Sequence, residues 1–286
     1  MTQEKLLRVL ILIVVCLLVI CTVASVVFFV SGTSRIPTKP GDETHTQEDS
    51  VTDRATESDA ESETDSIPAS VILGETPDMG IAYQDKLVFF GESTTAHLKS
   101  RGVLTGGKET LQVWHPYSNT LQIQYALSTK LRYLGSDTTE DTVGNIAKEV
   151  KPEYLVLCFG LNGVEKFSSG EAGKKLFVSS YQALIDEIRK NSPDTKIILQ
   201  SIYPVAEGCD DFNADAKTIN GYLTAINGWT MQLAADNGLK YVDAASAVTD
   251  ANGYLMSAYD TGDGVHITAE GYRQVLAYFR THAYTD

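Results

Sequence analysis

The sequence predicts an α/β fold, a mostly parallel and doubly wound sheet with helices laid on it. Three observations carry this reading. Residues 87–90 and 154–159 are short, wholly apolar runs, each closed by a glycine, as strands buried on both faces are. Amphipathic stretches of helical length follow such runs; residues 177–190, for example, place Tyr181, Leu184, Ile185 and Ile188 on one face. Pro152, Gly160, Pro193 and Gly238 then mark where one kind of segment gives way to the next.

The N-terminal quarter is not globular in pattern. Residues 9–30 are 22 residues without a charge, and a helix of that length is about 33 Å long, enough for a hydrocarbon core of about 30 Å. Lys5 and Arg8 precede it. The positive-inside rule therefore puts residues 1–8 in the cytoplasm and the rest of the chain outside, as a single-pass membrane protein. A cleaved signal peptide is the rival reading, although its apolar region is typically only about 7–15 residues. Val-Ser-Gly before Thr33 is a place where it could still be cut. Residues 31–75 are rich in Thr, Ser, Glu and Asp. Between Gly41 and Ser66 there are ten acidic residues and one basic residue, Arg54. Such a segment buries too little apolar surface to offset chain entropy, so an extended, disordered tether is expected.

Residues 76–286 are left for one folded domain, and a domain of that size buries roughly 70% of its unfolded surface. The net charge of −14 argues against nucleic acid, whose phosphates call for a basic face. Four cysteines are too few for a disulfide scaffold. Cys16 and Cys21 fall in the apolar run, Cys158 reads as a core residue and Cys209 as a loop residue; whether the last two pair is left open. No Cys or His spacing fits a structural zinc; no metal or organic cofactor is expected for the chemistry read below. Nothing in the sequence sets the oligomeric state.

In order along the domain, residues 87–90 are the first strand and 111–114 a candidate second. Residues 120–127 alternate polar and apolar (Leu121, Ile123, Tyr125, Leu127) and predict a half-exposed strand or hairpin arm. Residues 142–150 predict a short helix, 154–159 a strand, 177–190 a helix and 196–202 a strand. Residues 214–237 predict a helix with Gly238 at its end, 239–242 the last strand, and Thr268 the cap of a closing helix to about His282.

Three loops at the ends of these elements carry chemically useful residues. Acyl transfer from an ester needs a nucleophile, a base, a group that orients the base, and donors for the oxyanion. Gly91-Glu92-Ser93 places a hydroxyl just beyond the first strand, where open α/β sheets build their sites. Gly160-Leu-Asn162 places an amide donor beyond the neighbouring apolar run, and Asp263-Gly-Val-His266 lies immediately before the last helix. Read singly, Ser93 could be only an N-cap, Asn162 a turn residue and His266 a loop residue. His97, one helical turn past Ser93, is expected at the solvent or cleft rim, and His115 in the cleft or a surface turn.

These blocks, in this order, resemble those of the SGNH hydrolases, the GDSL esterase and lipase family, from about Gln84 to the C-terminus. The resemblance implies a flavodoxin-like three-layer α/β/α sandwich with about five strands. It also implies a serine esterase with Ser93 as nucleophile, His266 as general base and Asp263 as its orienting carboxylate. Ser93 N–H and Asn162 would serve the oxyanion, with Gly91, Glu92 and Gly160 supporting the site. Glu92 and Gly163 stand where the family has aspartates, and no clear glycine follows Val113 to supply the family's further oxyanion N–H. By position Asn119 is the counterpart, because asparagine tolerates left-handed backbone; Gly106 and Gly107 are rivals. With the domain outside the membrane, the implied substrate is a short acyl ester, such as an O-acetyl group, on a cell-surface or environmental carbohydrate. An acyltransferase using the same residues, or a non-catalytic surface-binding module, are the alternative readings.

Overall fold

The computed structural model describes residues 67–135 and 139–285. The expected membrane span at 9–30 and the acidic stretch of the tether lie outside the described residues. Among those described, no helix is long and apolar enough to cross a membrane. The strands are β1 (Leu87–Gly91), β2 (Val113–Trp114), β3 (Leu131–Arg132), β4 (Glu140–Asp141), β5 (Tyr154–Cys158), β6 (Lys196–Gln200) and β7 (Lys240–Val242). The helices are α1 (Gly80–Gln84), α2 (Ser93–Ser100), α3 (Val143–Val150), α4 (Val164–Phe167), α5 (Glu171–Asn191), α6 (Ala216–Asp236) and α7 (Ala269–Thr281).

Five strands form one sheet in the order β2-β1-β5-β6-β7, every pair parallel, with Phe89 opposite Val113 on one side and Val156 on the other. Numbered within that sheet alone, the order is 2-1-3-4-5, the doubly wound arrangement the alternation of runs predicts. Alternate strand residues feed two cores, which makes three layers. Phe90, Leu155, Leu157, Ile197 and Leu199 pack with α3, α5 and α6. Leu87, Phe89, Val156, Ile198 and Val242 pack with α1, α2 and α7. The Phe89 and Phe279 rings meet edge to face at 5.5 Å, and truncating either to alanine would cost about 3–5 kcal/mol.

Local signals place the helix ends. Asp215 accepts the Thr218 N–H at 2.8 Å and starts α6, which ends before Gly238 in left-handed backbone. Thr268 caps α7 by accepting the Gly271 N–H at 3.2 Å. Helix α5 begins at Glu171 rather than at residue 177, because Gly170 and Gly173 obscure its first turns in the sequence.

Two expectations are corrected. Residues 120–127 form no strand or hairpin arm; they are a loop with one 3₁₀ turn, Ile123–Tyr125. Leu121, Ile123 and Ala126 are buried whereas Tyr125 and Leu127 are exposed, so the alternation of residue types does not follow an alternation of faces. The last part of the expected tether, residues 67–75, also belongs to the fold. Val71 and Leu73 are buried, Ile72 bridges Tyr241, and Leu73 N–H donates to Tyr241 O at 2.8 Å. This segment covers the outer edge of β7, which would otherwise expose unpaired backbone groups.

Candidate active site

Strand β1 delivers the chain to the site through Gly91. A Cβ there would collide with Thr95 Oγ1 and the Cys158 carbonyl, so no larger residue fits between α2 and β5. Glu92 is extended, and Ser93 is the first residue of α2. The Ser93 N–H therefore has no acceptor within the helix and lies at the helix's positive end. Strands β1 and β5 flank the point where strand order reverses, and the loops after them face each other across it.

The loop before α7 folds around its own carboxylates. Asp260 Oδ1 accepts the N–H groups of Gly262 and Gly264, each at 2.9 Å. Asp263 Oδ1 accepts those of Val265 and His266, at 2.9 and 2.8 Å. That leaves Asp263 Oδ2 2.8 Å from His266 Nδ1, while His266 Nε2 is 3.1 Å from Ser93 Oγ. A carboxylate facing Nδ1 puts the imidazole proton there and leaves Nε2 as acceptor for the serine hydroxyl. Partial burial alone would raise the Asp263 pKa. The two backbone donors and His266 outweigh it and hold the carboxyl well below the usual range.

Two neighbours support this chain, and one of them, Tyr272, the sequence pattern did not single out. Tyr272, fully buried on α7, donates its hydroxyl to the carbonyl oxygen of Thr94 at 2.6 Å, tying the helix that follows His266 to the helix that carries Ser93. His97 is half-buried, and its ring packs against that of His266, with centroids 4.5 Å apart. Burial, followed by the charges of His266 and Arg101, pushes the His97 pKa down to about 4, so it packs there as a neutral ring. Its spacing of four from Ser93 was the available signal, since that spacing returns a helix to the same face.

Glu92 organises the opposite wall. Its carboxylate accepts the N–H of Gly160 through one oxygen, and those of Leu161 and Asn162 through the other, all at 3.0 Å. Burial raises its pKa, while the three N–H donors, which occupy both oxygens, pull the other way and favour the carboxylate. Gly160 has φ 133°, and a side chain there would also strike Ile202 and Ile226. The loop so held presents Asn162, whose Nδ2 donates to Leu121 O at 3.0 Å. That contact uses one amide hydrogen and leaves the other.

Asn119 has the left-handed backbone expected of it, with φ 55°. Its N–H, however, donates to Pro116 O at 3.0 Å, so the turn itself occupies the donor proposed for the oxyanion. Gly107 N–H is likewise taken by Leu104 O at 2.9 Å. Cys158 and Cys209 are both buried and free. Among the described residues, no cluster of His, Cys, Asp and Glu could hold a metal ion.

The arrangement can therefore deprotonate a hydroxyl through an oriented imidazole, next to a helix N-terminus and an amide donor. A family model described as the GDSL-like Lipase/Acylhydrolase family matches residues 89–274. No curated protein matches the chain. Similar solved structures include a GDSL-like lipase from Bacteroides thetaiotaomicron, at 19% identity and a TM-score of 0.44, covering 69% of this chain and 87% of that one. An extracellular lipase from Streptomyces rimosus matches at 13% identity and a TM-score of 0.44, covering 69% and 99%. A catalytic mutant of an acetylxylan esterase from Geobacillus stearothermophilus matches at 16% identity and a TM-score of 0.40, covering 70% and 94%.

Proposed function

The chain belongs to the GDSL-like lipase/acylhydrolase family of serine hydrolases, and on that footing we propose that it removes a short acyl group, such as acetyl, from a carbohydrate. The observation that carries the reading is the unbroken relay from Asp263 Oδ2 through His266 to Ser93 Oγ, at 2.8 and 3.1 Å. Ser93 Oγ attacks the acyl carbon while His266 Nε2 takes its proton, and Asp263 stabilises the imidazolium. The carbonyl oxygen becomes an oxyanion, which Ser93 N–H and the remaining Asn162 amide hydrogen receive. Collapse breaks the ester bond and His266 returns the proton to the departing alcohol. Water, activated by the same imidazole, then releases the acid and restores Ser93.

A small acyl group suits the connections around the site: among the described residues, none of them forms a helical lid or a long apolar insertion. We place the domain outside the membrane on an N-terminal anchor, on the basis of the uncharged run at 9–30 and the charges before it. Hydrolysis of p-nitrophenyl acetate by the wild type but not by a folded Ser93→Ala protein tests the activity. Protease added to intact cells tests the location, since it should release the domain by cutting in the acidic segment; a domain protected until the membrane is opened would overturn that placement.

A further inference from the structure

A second cleft, of about 230 Å³, opens along the nucleophile's own helix. Ser93, Ala96 and Ser100 share one face of α2 at spacings of three and seven, and Ala96 and Ser100 line this cleft. It therefore begins about 4.5 Å along the helix axis from Ser93, less than one turn. Its far wall is the loop after β2, which also supplies the Leu121 carbonyl that holds Asn162. The cleft therefore lies beside the active site, along the helix that carries Ser93.

Its chemistry is unlike that of the rest of the molecule. In a chain of net charge −14, Lys99, Lys108 and Arg132 converge here and no carboxylate lines the cleft. Arg132 is fixed as a wall, with its Nε 3.0 Å from Glu140 and its guanidinium 4.3 Å from the Tyr117 ring centroid. Lys99 and Lys108 form no ion pair among the described residues. Lys99 and Lys108, brought to one cleft without a counter-charge of their own, repel one another, which an anion between them would relieve.

His115 lies in the same wall and is 8% exposed. Its Nδ1 faces two acceptors, Pro116 O at 3.0 Å and Asn119 Oδ1 at 2.8 Å, so that nitrogen carries the proton. Nε2 is then an acceptor, and it is buried with no partner. Burial first, and the nearby charges of Lys99 and Arg132 after it, lower the pKa of the ring. An unpaired buried acceptor is costly, and a hydroxyl donor would satisfy it.

We propose that this cleft is the subsite for an anionic, hydroxylated part of the ester substrate, a carboxylate or phosphate borne on the same sugar as the acyl group. The two lysines hold the anion and His115 accepts from a neighbouring hydroxyl. This rests on the esterase reading of Ser93 and adds the charge of the substrate to it.

The test compares kcat/KM for three mono-acetylated sugars: glucose, glucuronic acid and glucose phosphate. The anionic members should be preferred by about tenfold or more at low salt, and that ratio should shrink as salt is raised. Which anionic member is favoured separates carboxylate from phosphate. In the Lys99→Gln/Lys108→Gln protein the ratio of anionic to neutral ester should fall towards one. Equal kcat/KM across the three sugars in the wild type, or a preference that survives both substitutions, would overturn the subsite while leaving the esterase standing. Calorimetric binding of the same three sugars to Ser93→Ala protein decides the subsite independently of turnover. Tighter binding of the anionic members supports it, and indifference to charge overturns it, even if no ester is hydrolysed and the esterase reading itself fails.

Discussion

The carboxylate of Glu92 accepts the backbone N–H of Asn162 at 3.0 Å, joining the residue beside Ser93 to the loop that presents the Asn162 amide, 70 positions away in sequence. Both oxygens of Glu92 are acceptors, and its three donors are consecutive backbone groups. Glu92→Gln replaces one acceptor with an amide that has only hydrogens to offer. A buried N–H left unpaired costs about 1–3 kcal/mol. Turnover of a small acetyl ester should fall by about tenfold to a hundredfold, with kcat more affected than KM, because the loop carrying Asn162 is displaced. Steady-state kinetics on the folded variant check this; unchanged kcat would mean that the clamp does not position the donor.

Removing the donors themselves should follow the usual scale. Asn162→Ala should lower kcat by about 10²–10³, the cost of losing one oxyanion donor. Asp263→Asn keeps the two backbone contacts within reach but loses the carboxylate that fixes the His266 tautomer, so about 10⁴ in kcat is expected. Kinetics with p-nitrophenyl acetate measure both, and an Asn162→Ala enzyme with wild-type kcat would remove that side chain from the mechanism.

His97 gives a pH dependence that can be isolated by difference. Its pKa falls from 6.5 in the unfolded chain to about 4 in the fold. Between those values the unfolded state binds more protons. The stability contributed by keeping His97 neutral is therefore complete above about pH 6.5 and lost as pH falls towards about 4. His97→Phe retains a ring against His266 and has no proton to bind. Urea unfolding of both proteins across this window should show the wild type losing stability relative to the variant as pH drops. Parallel curves would contradict it.

Tyr272→Phe deletes only the hydroxyl that meets Thr94 O at 2.6 Å. The Thr94 carbonyl keeps its place in the ladder of α2, so the loss is that of one net hydrogen bond, about 0.5–1.5 kcal/mol. At about 2–4 °C per kcal/mol for a domain of this size, Tm should fall by about 1–6 °C. A melting scan checks it, and an unchanged Tm would show that the bond between α7 and α2 adds nothing to stability.

The strands of the main sheet and the three loops that carry Ser93, Asn162 and His266 were legible in the sequence because each rests on local patterning. Apolar runs ending in glycine mark buried strands, and Asp-x-x-His before a capped helix marks a self-contained turn. What was not legible depends on long-range contacts. Residues 67–75 look like the end of a polar tether until Leu73 pairs with Tyr241 beyond the far side of the domain. The loop at 120–127 alternates like a strand, yet no neighbour pairs with it, and Leu121 serves instead to hold Asn162. Asn119 has the backbone conformation that sequence reasoning wanted, but an adjacent carbonyl takes its N–H. The packing of His97 on His266 requires the first turn of α2 to meet a loop 169 residues later, which periodicity on one helix cannot show.

Covalent labelling tests the central claim most directly. After reaction with a fluorophosphonate, intact-mass and peptide mass spectrometry should find one adduct on the wild-type protein, at Ser93. Labelling should be absent in Ser93→Ala and strongly slowed in His266→Ala, because Nε2 at 3.1 Å is what activates the hydroxyl. An adduct that persists unchanged in folded Ser93→Ala, or a folded wild type that takes none, would contradict the assignment of Ser93 as the nucleophile.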